Sequence, residues 1–298
     1  MTNQIVHEID GVSFMLKEKH AFDWLMPLGT VFCVFDQQDS GNISFGLVQK
    51  DGQKKFVKYA GARTLCANVM ASPVEAIRHL RSSVLIYEDL AHDSLIRLRD
   101  HFATDDGYAC VFDWVEGECL HLHWSFPPPA KYEDPRSPYV QFRQLPVQTR
   151  LPAMERILDF HIEAERRGYV AVDFYDGSLI YNFAAKEVRI CDIDLYRKGE
   201  FTNTMGRMWG SSRFMSPEEF ELGAPIDSVT NVFNMGAMAF ALLGGELDRS
   251  WERWEAGEAL YDVVLCAVNA DRTLRYTSVA EFGRAWKEGM RNDAIGDS

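Results

Sequence analysis

Strand signals dominate the chain up to about Phe112 and helical periodicity dominates from Trp114 onward, so the sequence predicts an α+β protein with a β-rich first part and a mainly α-helical remainder. Two patterns carry this. Runs rich in β-branched and aromatic residues alternate with Gly/Asp/Asn/Ser turns early on. Further along, apolar residues recur at steps of three and four. A chain of 298 residues, 47% hydrophobic and 25% charged, has the apolar material for one large core or two modest ones.

Thr30-Val31-Phe32-Cys33-Val34-Phe35 is a strand, Asp39-Ser40-Gly41-Asn42 a turn, and Ile43 to Val48 the return strand. Asp51-Gly52 marks a second hairpin, and Lys55-Phe56-Val57-Lys58-Tyr59 is a third strand. A helix follows with Val74, Ile77, Leu80 and Val84 as its apolar stripe, and Leu90 to Leu98 joins it to the next strand. A Pro-rich insertion, residues 126–138, is expected as a surface loop, because proline lacks the amide donor and clashes with the preceding helical turn. Met154, Ile157, Leu158, His161 and Ile162 form a helical stripe ending at Gly168, and Asn231 to Leu243 is an apolar helix.

Charge and cysteine usage bound the partners. Lys plus Arg is 31 against 44 Asp plus Glu, a formal charge of −13, which argues against nucleic acid or an anionic membrane as a partner. The six cysteines (Cys33, Cys66, Cys110, Cys119, Cys191, Cys266) are scattered singly, without a Cys-x-x-Cys pair, and read as buried thiols in a reducing compartment. With no basic-then-apolar leader and no long apolar run, a cytoplasmic protein is expected. His121 and His123 read as surface or core histidines rather than metal ligands.

The most informative stretch is Gly210-Ser211-Ser212-Arg213-Phe214-Met215-Ser216-Pro217-Glu218. It follows Asp192-Ile193-Asp194, at the end of the apolar run Val188 to Cys191, and precedes the apolar helix from Asn231. This order resembles the second half of a eukaryotic-type (Hanks-type) bacterial Ser/Thr protein kinase with a divergent glycine loop and catalytic loop. The resemblance spans roughly residues 28 to 286 and implies a single two-lobed protein-kinase-like domain over 1–298. Its N-lobe would cover about 1–112, its hinge about 113–117 and its C-lobe about 118–298.

Phosphoryl transfer needs cations at the phosphates, a carboxylate-held metal and a group orienting the acceptor hydroxyl. The resemblance distributes those roles. Lys58, fifteen residues after Ile43, matches the strand lysine that pairs with nucleotide phosphates. Gly41 takes the third glycine position of the phosphate loop, with Asp36 and Gln38 in the first two, and Ile43 takes the place of the valine that follows the loop. Glu75 is the helix acid assigned to Lys58, with Glu88 as the other candidate and Ser83 in the usual register. Phe112 matches the gatekeeper, and the backbone of Asp113 and Val115 would meet adenine.

In Ala171-Val172-Asp173-Phe174-Tyr175-Asp176-Gly177-Ser178, Asp173 matches the catalytic base and Ser178 the metal-binding asparagine. Ala171 and Val172 replace the His-Arg pair, so the arginine that answers a phosphorylated segment is missing, and Tyr175 stands in a lysine position. Asp192, nineteen residues after Asp173, would chelate Mg²⁺, with Asp194 beside it. Ser211 matches the hydroxyl facing catalytic base and substrate, Glu218 the glutamate that pairs with a late arginine, here Arg275, and Asn231 a loop-bracing aspartate. Thr202 and Thr204 occupy phosphosite positions.

The implied activity is ATP- and Mg²⁺-dependent phosphorylation of a protein Ser/Thr hydroxyl. Two alternatives stand beside it. The substitutions in the glycine loop, at Ser178 and at Asn231 suit a pseudokinase scaffold. The Asp192/Asp194 doublet suits an aminoglycoside-type small-molecule phosphotransferase.

Overall fold

The computed structural model describes residues 4–38, 40–65 and 72–296, so Asp39 and Cys66 lie outside the described residues. The chain is α+β, 37% helical and 22% strand. It divides into two compact units, one of Met1–Ala91 and Ile96–Val115, the other of His92–Leu95 and Glu116–Ser298.

In the N-terminal unit a hairpin of β1 (Ile5–Ile9) and β2 (Val12–Leu16) comes first. It turns at Asp10-Gly11, both with positive φ, as a two-residue hairpin turn requires. β3 (Thr30–Phe35), β4 (Ile43–Val48) and β5 (Lys54–Ala60) follow, within a residue of the ends expected from sequence. After α1 (Pro73–Asp89) come β6 (Leu98–Ala103) and β7 (Tyr108–Asp113). The main sheet is antiparallel in the order β3-β4-β5-β7-β6. Phe14, Phe22, Phe45, Leu47, Val57 and Tyr59 pack on one another in its core, with ring centroids 5.2–6.0 Å apart among four of the aromatics.

α1 differs from expectation in its inner face. Val74 is 75% exposed, and the buried stripe is Ala76, Leu80, Ser83, Val84 and Tyr87. Ser83 belongs there because its hydroxyl donates to the Leu80 carbonyl one turn back, leaving no polar atom unsatisfied (2.8 Å).

The C-terminal unit contains β8 (Glu118–Cys119), α2 (Ala130–Glu133), α3 (Pro138–Arg143), α4 (Val147–Arg166) and β9 (Tyr169–Val170). It continues through β10 (Leu179–Asn182), β11 (Glu187–Ile190), β12 (Arg197–Lys198), β13 (Phe201–Thr202) and β14 (Pro225–Ile226) to α5 (Ser228–Leu243), α6 (Glu258–Ala267) and α7 (Val279–Gly296). Every α5 residue from Thr230 to Leu243 is buried, because α4, α6 and α7 all pack on it. Gly236 permits the closest approach: a Cβ there would stand 2.7 Å from Val268 Cγ1 and 2.9 Å from Ala267 Cβ.

The Pro-rich insertion is not the plain surface loop expected. It holds α2, and Lys131 and Ser137 are each 1% exposed. Pro138 sits in the first turn of α3, where a missing amide donor costs nothing. The cysteines depart from expectation as well: of the five described, all free thiols, only Cys110 is fully buried and the others are half-buried. No helix among the described residues is long and apolar enough to cross a membrane.

Candidate functional site

The C-terminal unit holds the expected catalytic and metal-binding residues, with Asp173, Ser178, Asp192 and Asp194 on the loops at one end of the β10–β11 hairpin. Its ladder begins at Leu179↔Ile190, and the Cys191 amide then donates to the Ser178 carbonyl at 2.8 Å. That register closes the loop Asp173–Ser178 against the loop Asp192–Asp194. The far end turns through Lys186 at φ 57°, with Asn182 Oδ1 accepting from the Ala184 and Ala185 amides.

Asp173 and Asp192 both adopt left-handed backbone, at φ 59° and 56°. Only five non-glycine residues do so among those described, and the other three (Asp10, Lys186, Glu246) lie in turns. Such conformations cost energy in an L-residue and persist where surrounding structure imposes them, often at functional loops. Asp192 is exposed and Asp173 half-buried. Both lie within electrostatic reach of two phenols, Tyr175 and Tyr196, whose burial, reinforced by these carboxylates, pushes them well above the ordinary tyrosine range.

Backbone clamps hold this loop from below. Asn231 of α5 accepts from the Ala171 amide and donates to the Ala171 carbonyl, both at 2.8 Å. Asparagine thus satisfies donor and acceptor of one peptide residue, which an aspartate could not. The chain continues from Asn231 to Asn234, and Asn234 donates to the Phe214 carbonyl (2.9 Å) and to Glu219 Oε2 (2.9 Å). Glu219 also caps Ser216, and its burial raises its pKa. His161 of α4 donates from Nδ1 to the Ile157 carbonyl, so its Nε2 accepts from the Tyr196 hydroxyl (2.7 Å each). Burial lowers its pKa to about 4.

The Ser211–Glu218 segment lies against the same loop. A Cβ on Gly210 would stand 3.7 Å from Asp173 Cα, and Gly210 has φ 138°. The ion pair expected between Glu218 and Arg275 is present and bidentate, at 2.7 and 3.0 Å. Burial alone would raise the Glu218 pKa, but Arg275 holds it below the usual value. Val172, in the arginine's place, packs in an apolar cluster with Val170, Met208, Met215 and Ile226.

Sequence reasoning missed a second group. Asp176, fully buried, accepts from Lys131 Nζ (2.5 Å) and from both Arg213 Nη atoms (3.0 and 2.8 Å). Glu246 Oε2 accepts from Lys131 (3.1 Å) and Arg213 (2.7 Å), and Glu246 Oε1 from the Tyr132 hydroxyl (2.8 Å). His121 is part of it, its Nδ1 3.0 Å from Arg213 Nη2 and 3.3 Å from Asp176 Oδ1. Burial opposes ionisation of Asp176, yet His121, Arg213 and Lys131 hold its pKa far below the carboxylate range. A charged Lys inside a Pro-rich segment and a Glu after Gly244-Gly245 were the available signals.

In the N-terminal unit the β3–β4 hairpin carries Gly41, buried at φ 77°, whose amide donates to the Gln38 carbonyl (3.1 Å). Ile43 is fully buried at the start of β4. Asp36 faces away from a phosphate-binding role: its carboxylate accepts from the Met15 amide of β2 (3.0 Å). Lys58 is 8% exposed in β5, paired with Ser44 and Cys110 across the sheet. Glu75, expected as its partner, is exposed and closes the capping box of α1 with Ser72 (2.9 Å to the Ser72 amide), so its carboxylate is spent on its own helix terminus. Asp113 ends β7 with its carboxylate between Arg99 and Lys55, which hold its pKa low. Val115 is half-buried and Phe112 buried.

Asp192 and Asp194 supply hard oxygen donors of the kind a divalent cation takes, and Ser178 Oγ is a buried hydroxyl without a hydrogen-bond partner. None of the expected residues lines either of two cavities, one of about 650 Å³ bordered by His7, His20 and Met26 and one of about 560 Å³ bordered by Tyr132, Tyr139 and Glu246. The chain matches no protein-family model.

Proposed function

We propose that the chain is an ATP-dependent Ser/Thr protein kinase with a two-lobed kinase-like fold, acting on a protein hydroxyl. One observation carries the reading: the loops bearing Asp173 and Asp192, nineteen residues apart, leave the same end of one hairpin, with both aspartates in left-handed backbone and both within electrostatic reach of Tyr175 and Tyr196. Asp173 is assigned to orienting the acceptor hydroxyl and accepting its proton, with Ser211 on the substrate side. Asp192 and Asp194 would hold Mg²⁺, and the unpartnered Ser178 Oγ is the third oxygen available to it. When bound, the ion would neutralise charge on the transferring phosphoryl group. Lys58 is assigned to the nucleotide phosphates, the Gly41–Ile43 hairpin to covering them, and the Asp113 and Val115 backbone to adenine. Glu75 has no part, given its capping role.

A pseudokinase is the second reading, favoured by the complete burial of Ser178 and by the aspartate at the head of the glycine hairpin. Thermal stability with ATP, with and without Mg²⁺, separates the two. Nucleotide at a hundred times its Kd stabilises by about 2.7 kcal/mol, a shift of several degrees. The kinase reading requires an Mg-dependent shift and phosphoryl transfer that Asp192→Ala abolishes. Transfer undiminished in Asp192→Ala overturns the metal assignment, and no shift at millimolar nucleotide favours the pseudokinase.

A further inference from the structure

Lys131, Asp176, Arg213 and Glu246 come from four separate stretches of the C-terminal unit: α2, the loop after Asp173, the segment after Gly210, and the turn after α5. Together they carry two positive and two negative charges at 0–14% side-chain exposure. Each cation touches both acids. Such a group is costly to desolvate and holds only when every charge is answered, so it favours one arrangement strongly over its neighbours. The Arg213 fork fixes orientation as well as distance, since both its Nη atoms meet Asp176. Two residues before Arg213 is Ser211, and three before Asp176 is Asp173.

We infer that this charge-balanced cluster is an internal clamp, with Arg213 the positioning residue that sets the Gly210–Phe214 segment in register on the Asp173–Ser178 loop. An independent contact supports it on the other flank, where Val172 packs with Met208 and Met215. The segment is therefore held between an apolar pad and an ionic fork, both supplied by the chain itself. The catalytic consequence, placement of Ser211 and the acceptor hydroxyl relative to Asp173, rests on the kinase reading; the clamp does not.

Amide hydrogen exchange over residues 207–216 tests it in the full chain. Arg213→Met alone leaves Lys131 facing two buried acids, so the decisive variant is the charge-balanced pair Arg213→Met/Glu246→Gln. That pair leaves Lys131 with Asp176 and keeps an oxygen for the Tyr132 hydroxyl. Exchange in 207–216 should rise about tenfold or more while α5 stays protected. Where transfer is measured, KM for the protein acceptor should rise several-fold with nucleotide KM unmoved, a split that general loosening of the fold does not produce. Unchanged exchange in the charge-balanced pair, or a nucleotide KM that rises in parallel, overturns the clamp. If wild type transfers no phosphoryl group while 207–216 loosens as expected, the kinase reading fails and the clamp stands.

Discussion

Among the described residues, the N-terminal unit buries one charged side chain, Lys58, whereas the C-terminal unit buries seven: Lys131, Arg150, Asp176, Glu218, Glu219, Glu246 and Arg275. The first is held by an antiparallel ladder and an aromatic core, interactions largely indifferent to which residue occupies a loop. The β3–β4 turn can therefore carry Asp36, its carboxylate in a structural hydrogen bond, at no cost to the sheet. The second is held by side chains paired across long sequence distances, where losing one member strands the other. Motifs in a ladder can erode singly; motifs in a paired network persist or change together.

The widest gap between the units should appear when one acid is removed from each. Glu218→Ala leaves the Arg275 guanidinium buried and unanswered, and should cost about 3–5 kcal/mol in urea unfolding. Asp113→Asn removes a partly exposed pair with Lys55 and Arg99, and should cost less than about 1 kcal/mol. Equal losses would mean that the buried pair holds nothing the surface pair does not.

Acid separates the units less sharply. His161 has a folded pKa of about 4, lowered by burial from an ordinary value of 6.5. It is neutral when folded, and the unfolded chain takes up the proton first as pH falls. Its contribution is complete above about pH 6.5 and is lost as pH drops towards 4, amounting to about 2 kcal/mol between pH 7.5 and pH 5. His20, also lowered by burial in the N-terminal unit, acts in the same direction. Urea midpoints at the two pH values should show a smaller acid loss in His161→Phe than in wild type. An identical loss would remove His161 as the group responsible.

The smallest effect concerns Thr202 and Thr204, both exposed. Val172 offers a phosphate no cation and instead packs with Met208 and Met215. If the proposed transfer is measured, Thr202→Ala/Thr204→Ala should keep it within about twofold, because the segment is ordered by the chain itself. A tenfold drop would mean that a phosphate orders it after all.

What the sequence made legible follows the range of the interactions. β3, β4 and β5 were readable because alternation and turn residues are local, and α5 because it is mostly apolar and carries no charge. Asp173 and Asp192 were paired through the resemblance of their two motifs and the nineteen residues between them, whereas the β10–β11 hairpin that brings their loops together came only with the structure. Glu75 was misassigned because a capping acid and a lysine partner look alike in sequence, and only the geometry with Ser72 distinguishes them. The clamp was illegible for a different reason. Its members are 45, 37 and 33 residues apart along successive pairings, so no window contains two of them, and Lys131 sits among prolines that suggest a solvated loop.

The burial of α5 on every side has a consequence for biosynthesis. This helix leaves the ribosome after α4 but before α6 and α7, which complete its cover, so it must wait for the forty or so residues of α6, α7 and their connection to be made. Until then the faces of α5 that α6 and α7 will cover stay open, on a helix whose sixteen residues include no charge to keep it soluble. Truncation before Glu258 would make that waiting state permanent, and a nascent chain stalled there is the form of this protein with most need of a chaperone.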